Sequence, residues 1–390
     1  MKQNFYFENF KTVSPINLKP NEKVCIEGQY IAIRRFDEIK NKNYSYIDCE
    51  NLHLLPGFID CHVHISMNST PNPFEEFNDS TKNTVSKSLI NLRKSISCGF
   101  TTLRDLGGLL EPIMQIRNAV ALDSTLPNLL VSGSALCPRD GHGDKISLTH
   151  VSHLGLLENL DLLLKNNVDV IKIMASGGVI SSNSTLEDVQ FTASELSIID
   201  DFSKKNSIPV AAHAQSILSV KNCLKSGIRS IEHGVNLDNE CIELMLENDA
   251  YLIPTLSAPY HMVNNLEALK FENYIVEKLI QAKERHEDSI IKAYRSDVKI
   301  ALGTDAGTPF NRHGNNIQEM NLMKKIGISI EDVICSATKY ASEILNISKD
   351  IGEIAHGKKA DLVVMELQKE GKNVFNKEKI KYVFKNGTIV

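Results

Sequence analysis

Apolar and polar positions fall into two patterns along this chain. From Met1 to Leu55, short apolar runs of β type such as KVCIEGQYIAI alternate with polar turn segments. The closing stretch, DLVVMEL followed by KYVFKNGTIV, has the same character, and the KNGT at 385–388 is a hairpin-turn signal. Neither end could close a core alone. The two are therefore expected to meet in one small β-sandwich domain built from residues 1–55 and 355–390.

Over residues 56–354 the pattern changes to short apolar runs separated by longer stretches of helical period. GFIDCHVHI, TTLRDLG, NLLVSGSAL, VDVIKIMASGG, IPVAAHA, SIEHG, AYLIPTL and KIALGTDAG form eight such runs. Val85, Leu89, Leu92 and Ile96 keep helical spacing before the second run, and Gly99 stands where a helix C-cap belongs. ELSIIDDFSKKNSIP reads as a helix that stops near a proline. Eight strands separated by helices predict an α/β fold, a (β/α)₈ TIM barrel. The segment has the length such a barrel needs, about 250 residues or more.

Hydrophobic residues make up 42% and charged residues 23% of the 390, a balance that excludes a disordered or fibrous chain. A net charge of −5 without a long basic run argues against nucleic acid and anionic membranes as partners, and for a small molecule. The first residues lack the apolar core of a signal peptide, and no stretch approaches the ~20 apolar residues of a membrane span, so a cytoplasmic location is expected. The eight cysteines include no Cys-x-x-Cys pair, which leaves them as buried small apolar residues rather than a zinc ribbon or redox dithiol.

The chemistry-bearing residues cluster at the ends of the apolar runs. His62 and His64 are two apart on a strand, so their side chains share a face, as two ligands of one metal require. A His-x-His pair also arises by chance, so the rest of the chain decides. In VDVIKIM, Lys172 alternates with Ile171 and Ile173 and so points into the barrel. An unpaired ammonium there costs several kcal/mol or more. A lysine that loses its proton and reacts with carbon dioxide becomes a carbamate, an anion able to bridge two cations. His213 and His233 end successive strands, where barrel active sites sit, and could share a second metal. Asp305 closes IALGTDAG with Ala301 and Gly303 on its own face, an arrangement expected to leave room for a ligand or water. Each residue alone could be structural. Together the six are a ligand set.

The motifs PGFIDCHVH, IKIMASGGV, AAHA, SIEHG, LGTDAG and GKKADLVV, in that order, resemble the amidohydrolase superfamily. Within it they resemble the branch of imidazolonepropionase-like proteins and metal-dependent Xaa-Pro and Xaa-Arg dipeptidases. The resemblance implies two divalent metal ions, usually zinc: one on His62, His64 and Asp305, the other on His213 and His233, with carboxylated Lys172 bridging. Two cations that share a water lower its pKa and make hydroxide available near neutral pH. Asp305 would take the proton and pass it to the departing nitrogen, giving hydrolysis of an amide C–N bond.

Similar dipeptidases carry a Gly-Gly-His-Gly segment and a tyrosine that contact the substrate. Here His142, in RDGHGD, and Tyr260 take those places as expected catalytic and substrate-binding residues, with Asp140 replacing the first glycine. His313 is a further candidate for substrate binding, and Arg104 and Arg139 are weaker ones. The reading is a dipeptidase or carboxypeptidase of Xaa-Pro or Xaa-Arg/Lys type, or an N-acyl amino-acid hydrolase, acting on a small amide or dipeptide. The alternatives are a one-metal cyclic amidohydrolase or deaminase and a non-catalytic scaffold of the same fold. The oligomeric state stays open, a homo-oligomer included.

Overall fold

A computed structural model of the protein describes residues 3–13, 16, 18–40, 42–178, 185–269, 273–368 and 373–390. Val179, the last residue of IKIMASGGV, lies outside them. Strands β1 (Asn4–Glu8), β2 (Glu22–Glu27), β3 (Tyr30–Arg35) and β4 (Tyr44–Asp48) form a sheet in the order β3-β2-β1-β4. After β5 (His53–Pro56) the chain enters the barrel through β6 (Phe58–Val63), β7 (Phe100–Asp105), β8 (Asn128–Val131) and β9 (Ala135–Pro138). It continues through β10 (Ser147–His150), β11 (Ile171–Met174), β12 (Val210–Ala214), β13 (Ser230–His233), β14 (Tyr251–Ile253) and β15 (Lys299–Ile300).

β6-β7-β8 pair in parallel, as do β9-β11-β12-β13-β14-β15. The third apolar run, NLLVSGSAL, is thus two strands. Gly133 at φ 69° breaks it, a left-handed conformation that favours glycine. The ring is carried across the break by Asp169 N donating to Val131 O at 2.9 Å. It closes where Cys61 N meets Leu302 O and His64 N meets Ala306 O, both at 2.8 Å. β10 adds to β9 beyond this ring.

Helices alternate with the strands and cover them. Thr81–Ile96 is capped by the Ser80 hydroxyl, and Ala193–Asn206 opens on a capping box of Thr192 and Glu195. Ile171 and Ile173 of β11 belong to the large apolar layer between strands and helices, whereas Val170 packs inside with Leu106 and Ala211. That alternation fixes which face carries Lys172.

The chain returns to the small sheets through β16 (Leu362–Met365), β17 (Ile380–Lys385) and β18 (Thr388–Ile389), ordered β18-β17-β16-β5. Asn386 and Gly387, both at positive φ, make the two-residue turn between β17 and β18. The two sheets face each other across Phe5, Phe7, Val24, Ile26, Leu362, Val364 and Phe384. Phe384 receives Phe5 and Phe7 edge-on at 5.3 and 5.5 Å. Lys385 is buried beside this core and bonds Asp361 at 2.9 Å, while Asp361 also accepts from Asn386 N at 2.7 Å. Removing either charge would cost the other its ion pair in a buried setting.

All eight cysteines are free thiols, and all but Cys335 are buried. Among the described residues no helix is long and apolar enough to cross a membrane.

Candidate active site

The C-terminal ends of the barrel strands open into a cavity of about 280 Å³. His62, His64, Lys172, His213, His233 and Asp305 all line it. The ring centroids of His62 and His233 lie 5.0 Å apart, those of His213 and His233 4.6 Å, and those of His62 and His64 5.4 Å. Asp305 Oδ1 stands 3.4 Å from His62 Nε2 and 3.2 Å from His64 Nε2, yet makes no hydrogen bond of good geometry. His62, His64 and Asp305 each offer one ligand atom, all within 4.8 Å of one another, a set able to hold a divalent cation.

The opposite ring nitrogens are engaged. His62 Nδ1 lies 2.7 Å from Glu232 Oε2, His64 Nδ1 2.8 Å from Gly107 O, and His233 Nδ1 2.7 Å from Thr255 Oγ1. In each case Nε2 is left to the cavity, the arrangement by which outer partners orient metal-binding imidazoles. His213 differs, with its Nε2 3.2 Å from Gly177 O.

Glu232 is a functional candidate that strand periodicity hides. It precedes His233, so in a regular strand one of the two would point outward. His233 instead has φ 69°, outside the β region, and both side chains reach the interior. Glu232 is fully buried between His62 and Arg104, whose Nη2 lies 2.9 Å from it, and it also accepts from Ser230 Oγ at 2.7 Å. Arg104 further bonds Cys61 O and Ser230 Oγ. It is therefore held under the site, away from any substrate. Burial works against ionisation of Glu232, but Arg104 and His62 outweigh it and hold the carboxyl down at about 2.

Lys172 is 2% exposed, and its Nζ has no hydrogen-bond partner. Burial pulls its pKa down to about 8, against the opposing pull of Glu232 and Asp305. Burial likewise keeps His213 and His233 far below the ordinary imidazole range, so both stand as neutral donors. Asp305 is ionised despite its burial because His62, His64 and Lys172 hold its carboxyl below the usual range.

Gly303 serves a purpose different from the one expected. A Cβ there would stand 2.3 Å from Ile253 Cγ2 and 2.8 Å from His62 Cβ. The missing side chain makes room for a ligand-strand neighbour, not for water or substrate.

His142 lines the cavity, its ring 4.9 Å from that of His213. It packs over Gly178, where an added Cβ would fall 2.3 Å from His142 Cε1. Burial and then Lys172 lower its pKa to about 4. Asp140 takes φ 63°, the conformation the glycine of similar segments would adopt without strain. Tyr260 is not among the lining residues; the wall from its helix, Ser257–Val263, is Ala258, Pro259 and Met262. His313 does not face the cavity either. Its Nε2 lies 3.2 and 3.1 Å from the carbonyls of His64 and Met67, so it braces the loop after β6. Arg139 is exposed and outside the lining. His286, on the helix Asn273–Arg295, was not legible as a candidate, and its Nε2 lies 2.9 Å from His233 O.

The family model described as the amidohydrolase family matches residues 53–390. Ochratoxinase of Aspergillus niger is 27% identical over 375 residues, which cover 86% of this chain and 75% of the relative. Among solved structures, a Xaa-Pro dipeptidase with bound methionine in its active site superimposes with a TM-score of 0.89 at 25% identity, over 100% of both chains. A prolidase complexed with N-methylphosphonate-L-proline does so with a TM-score of 0.89 at 26% identity, over 100% of this chain and 99% of that one.

Proposed function

Since the chain belongs to the amidohydrolase family and is a hydrolase of C–N bonds, we propose that it is a two-metal enzyme cleaving dipeptides or N-acyl amino acids. The observation that carries the reading is Lys172, a buried amine whose Nζ has no hydrogen-bond partner in a cavity it shares with His62, His64, His213, His233 and Asp305, whose Oδ1 is also without one. A lone ammonium is costly in such a place, whereas a carbamate on Nζ would be an anion suited to two cations. The residues fit the group. His62, His64 and Asp305 would hold one zinc ion, His213 and His233 the other, with carboxylated Lys172 between them.

Bound there, the ions would acidify a shared water and polarise the substrate carbonyl. Asp305 accepts the proton of the attacking water and returns it to the leaving nitrogen. Glu232 and Thr255 fix the His62 and His233 rings so that no reorientation is needed during turnover. His142, neutral over Gly178, offers an N–H to the substrate carbonyl or carboxylate. Tyr260 has no assigned contact. The apolar wall of Met67, Met174, Val235 and Met262 suits an uncharged acyl or side-chain group.

A one-metal cyclic amidohydrolase or deaminase is the second reading, favoured by the fact that, among the described His, Cys, Asp and Glu residues, His62, His64 and Asp305 are the group that converges within 4.8 Å. Metal counting on the purified protein, intact-mass detection of a carboxyl adduct on Lys172, and a panel of Xaa-Pro, Xaa-Arg, Xaa-Lys and N-acyl amino acids separate the two. Two ions, the adduct and turnover of a panel member are expected. One ion with unmodified lysine favours the second reading.

A further inference from the structure

Glu319 lies in the helix Ile317–Lys325, is completely buried, and hydrogen-bonds Leu256 and Ser257, outside the six candidate metal ligands. Its Oε1 accepts from Leu256 N at 2.7 Å, and its Oε2 accepts from Ser257 N at 2.7 Å and Ser257 Oγ at 2.6 Å. The N–H groups are consecutive. Just before them Thr255 takes φ 52°, and Leu256 takes φ −58°, ψ −26°. A left-handed residue followed by a right-handed one turns successive N–H groups toward a single anion.

Thr255 is β-branched, and positive φ is strained in such a residue, so something must hold it in place. In that conformation its hydroxyl meets His233 Nδ1 at 2.7 Å. From these contacts we propose that Glu319 is a positioning residue: it occupies the anion nest at the exit of β14, locks Thr255, and through Thr255 aims the His233 ring. Burial pushes the Glu319 carboxyl up to about 8 against the pull of Ser257 and Leu256. Its two oxygens still accept from all three donors, which a carboxamide cannot do, since the amide has one acceptor oxygen and its NH₂ would face an N–H. The inference rests on the reading of His233 as a zinc ligand.

The test uses zinc itself, in competition with a chromophoric chelator, on the wild type, Glu319→Gln, Thr255→Val and the double variant. Each single variant is expected to bind zinc about 10–100-fold more weakly, and the double variant no more weakly than the worse single one, because the two act in one chain. Wild-type affinity in either folded variant, or losses that multiply, would overturn the proposal. If Glu319→Gln does not fold, Glu319→Asp, whose shorter side chain withdraws the carboxyl from the Leu256 and Ser257 donors, takes its place with the same weakening expected. Imidazole nitrogen NMR of the metal-free protein separates this inference from the reading beneath it. Glu319→Gln should shift the His233 ring signals and leave those of His150 in place, whether or not the wild type binds zinc. Unmoved His233 signals would refute the positioning role, whereas a wild type that takes up no zinc would refute the metal reading instead.

Discussion

Replacing Lys172 with methionine should stabilise the metal-free protein while abolishing its activity. The side chain is 2% exposed, its Nζ is unpartnered, and burial lowers its pKa from 10.5 to about 8. The unfolded chain therefore holds a proton more tightly than the folded one, so the penalty is full at low pH and is relieved as pH rises through 8 to 10.5. At roughly 1.4 kcal/mol per pKa unit, the cost is about 3 kcal/mol at pH 7 and about 2 kcal/mol at pH 9. Methionine keeps the length and flexibility of the chain without the charge. Urea unfolding of both proteins in chelator and CO₂-depleted buffer, at several pH values, measures the difference. Lys172→Met should be more stable at neutral pH, with the gap closing toward pH 10. With zinc and bicarbonate added the order should reverse, because the wild type alone can bind the second ion. A metal-free variant no more stable than wild type, or one with the same pH slope, would refute the argument.

Glu232→Gln should lower stability by about 3–5 kcal/mol, since it leaves the buried Arg104 guanidinium without a carboxylate, and the paired replacement Arg104→Met with Glu232→Leu should recover much of the loss in thermal unfolding. Burial holds His286 and His313 at about 4, so both stay neutral in the fold while the unfolded chain takes up protons below pH 6.5. Stability should accordingly fall as pH drops from 6.5 toward 4, by about 2 kcal/mol per group at pH 5, and a flat urea midpoint across that range would contradict it. Gly178→Ala should displace His142 and cut turnover while leaving metal content intact, as measured by steady-state kinetics beside metal analysis.

The barrel was legible because its strands are buried on both faces and its helices on one, so two periods alternate visibly. Period also placed Lys172 correctly, because Ile171 and Ile173 mark the opposite face. What it hid were departures from regular backbone. His233, Thr255 and Asp305 all take positive φ, and no local pattern announces that in histidine, threonine or aspartate. Glu232 was overlooked for this reason, its neighbour having claimed the inward face. The partners of Arg104 and Glu319 lie on distant strands and turns, and sequence separation gives no sign of them. The contacts of His313 Nε2 with the carbonyls of His64 and Met67 likewise span 249 and 246 residues of sequence and leave no local sign.

The sandwich also sets a timetable for synthesis. β5 pairs with β16, and Phe5 and Phe7 rest on Phe384, so these early segments find those partners only after residues 362–384 are translated. At about 5–20 residues per second, the interval is on the order of 15–60 s. Throughout it the faces of β1 and β2 that carry Phe5, Phe7, Val24 and Ile26 stay uncovered, long enough for a ribosome-associated chaperone to bind them. The barrel, whose strands pair mostly with their neighbours in the chain, can assemble meanwhile.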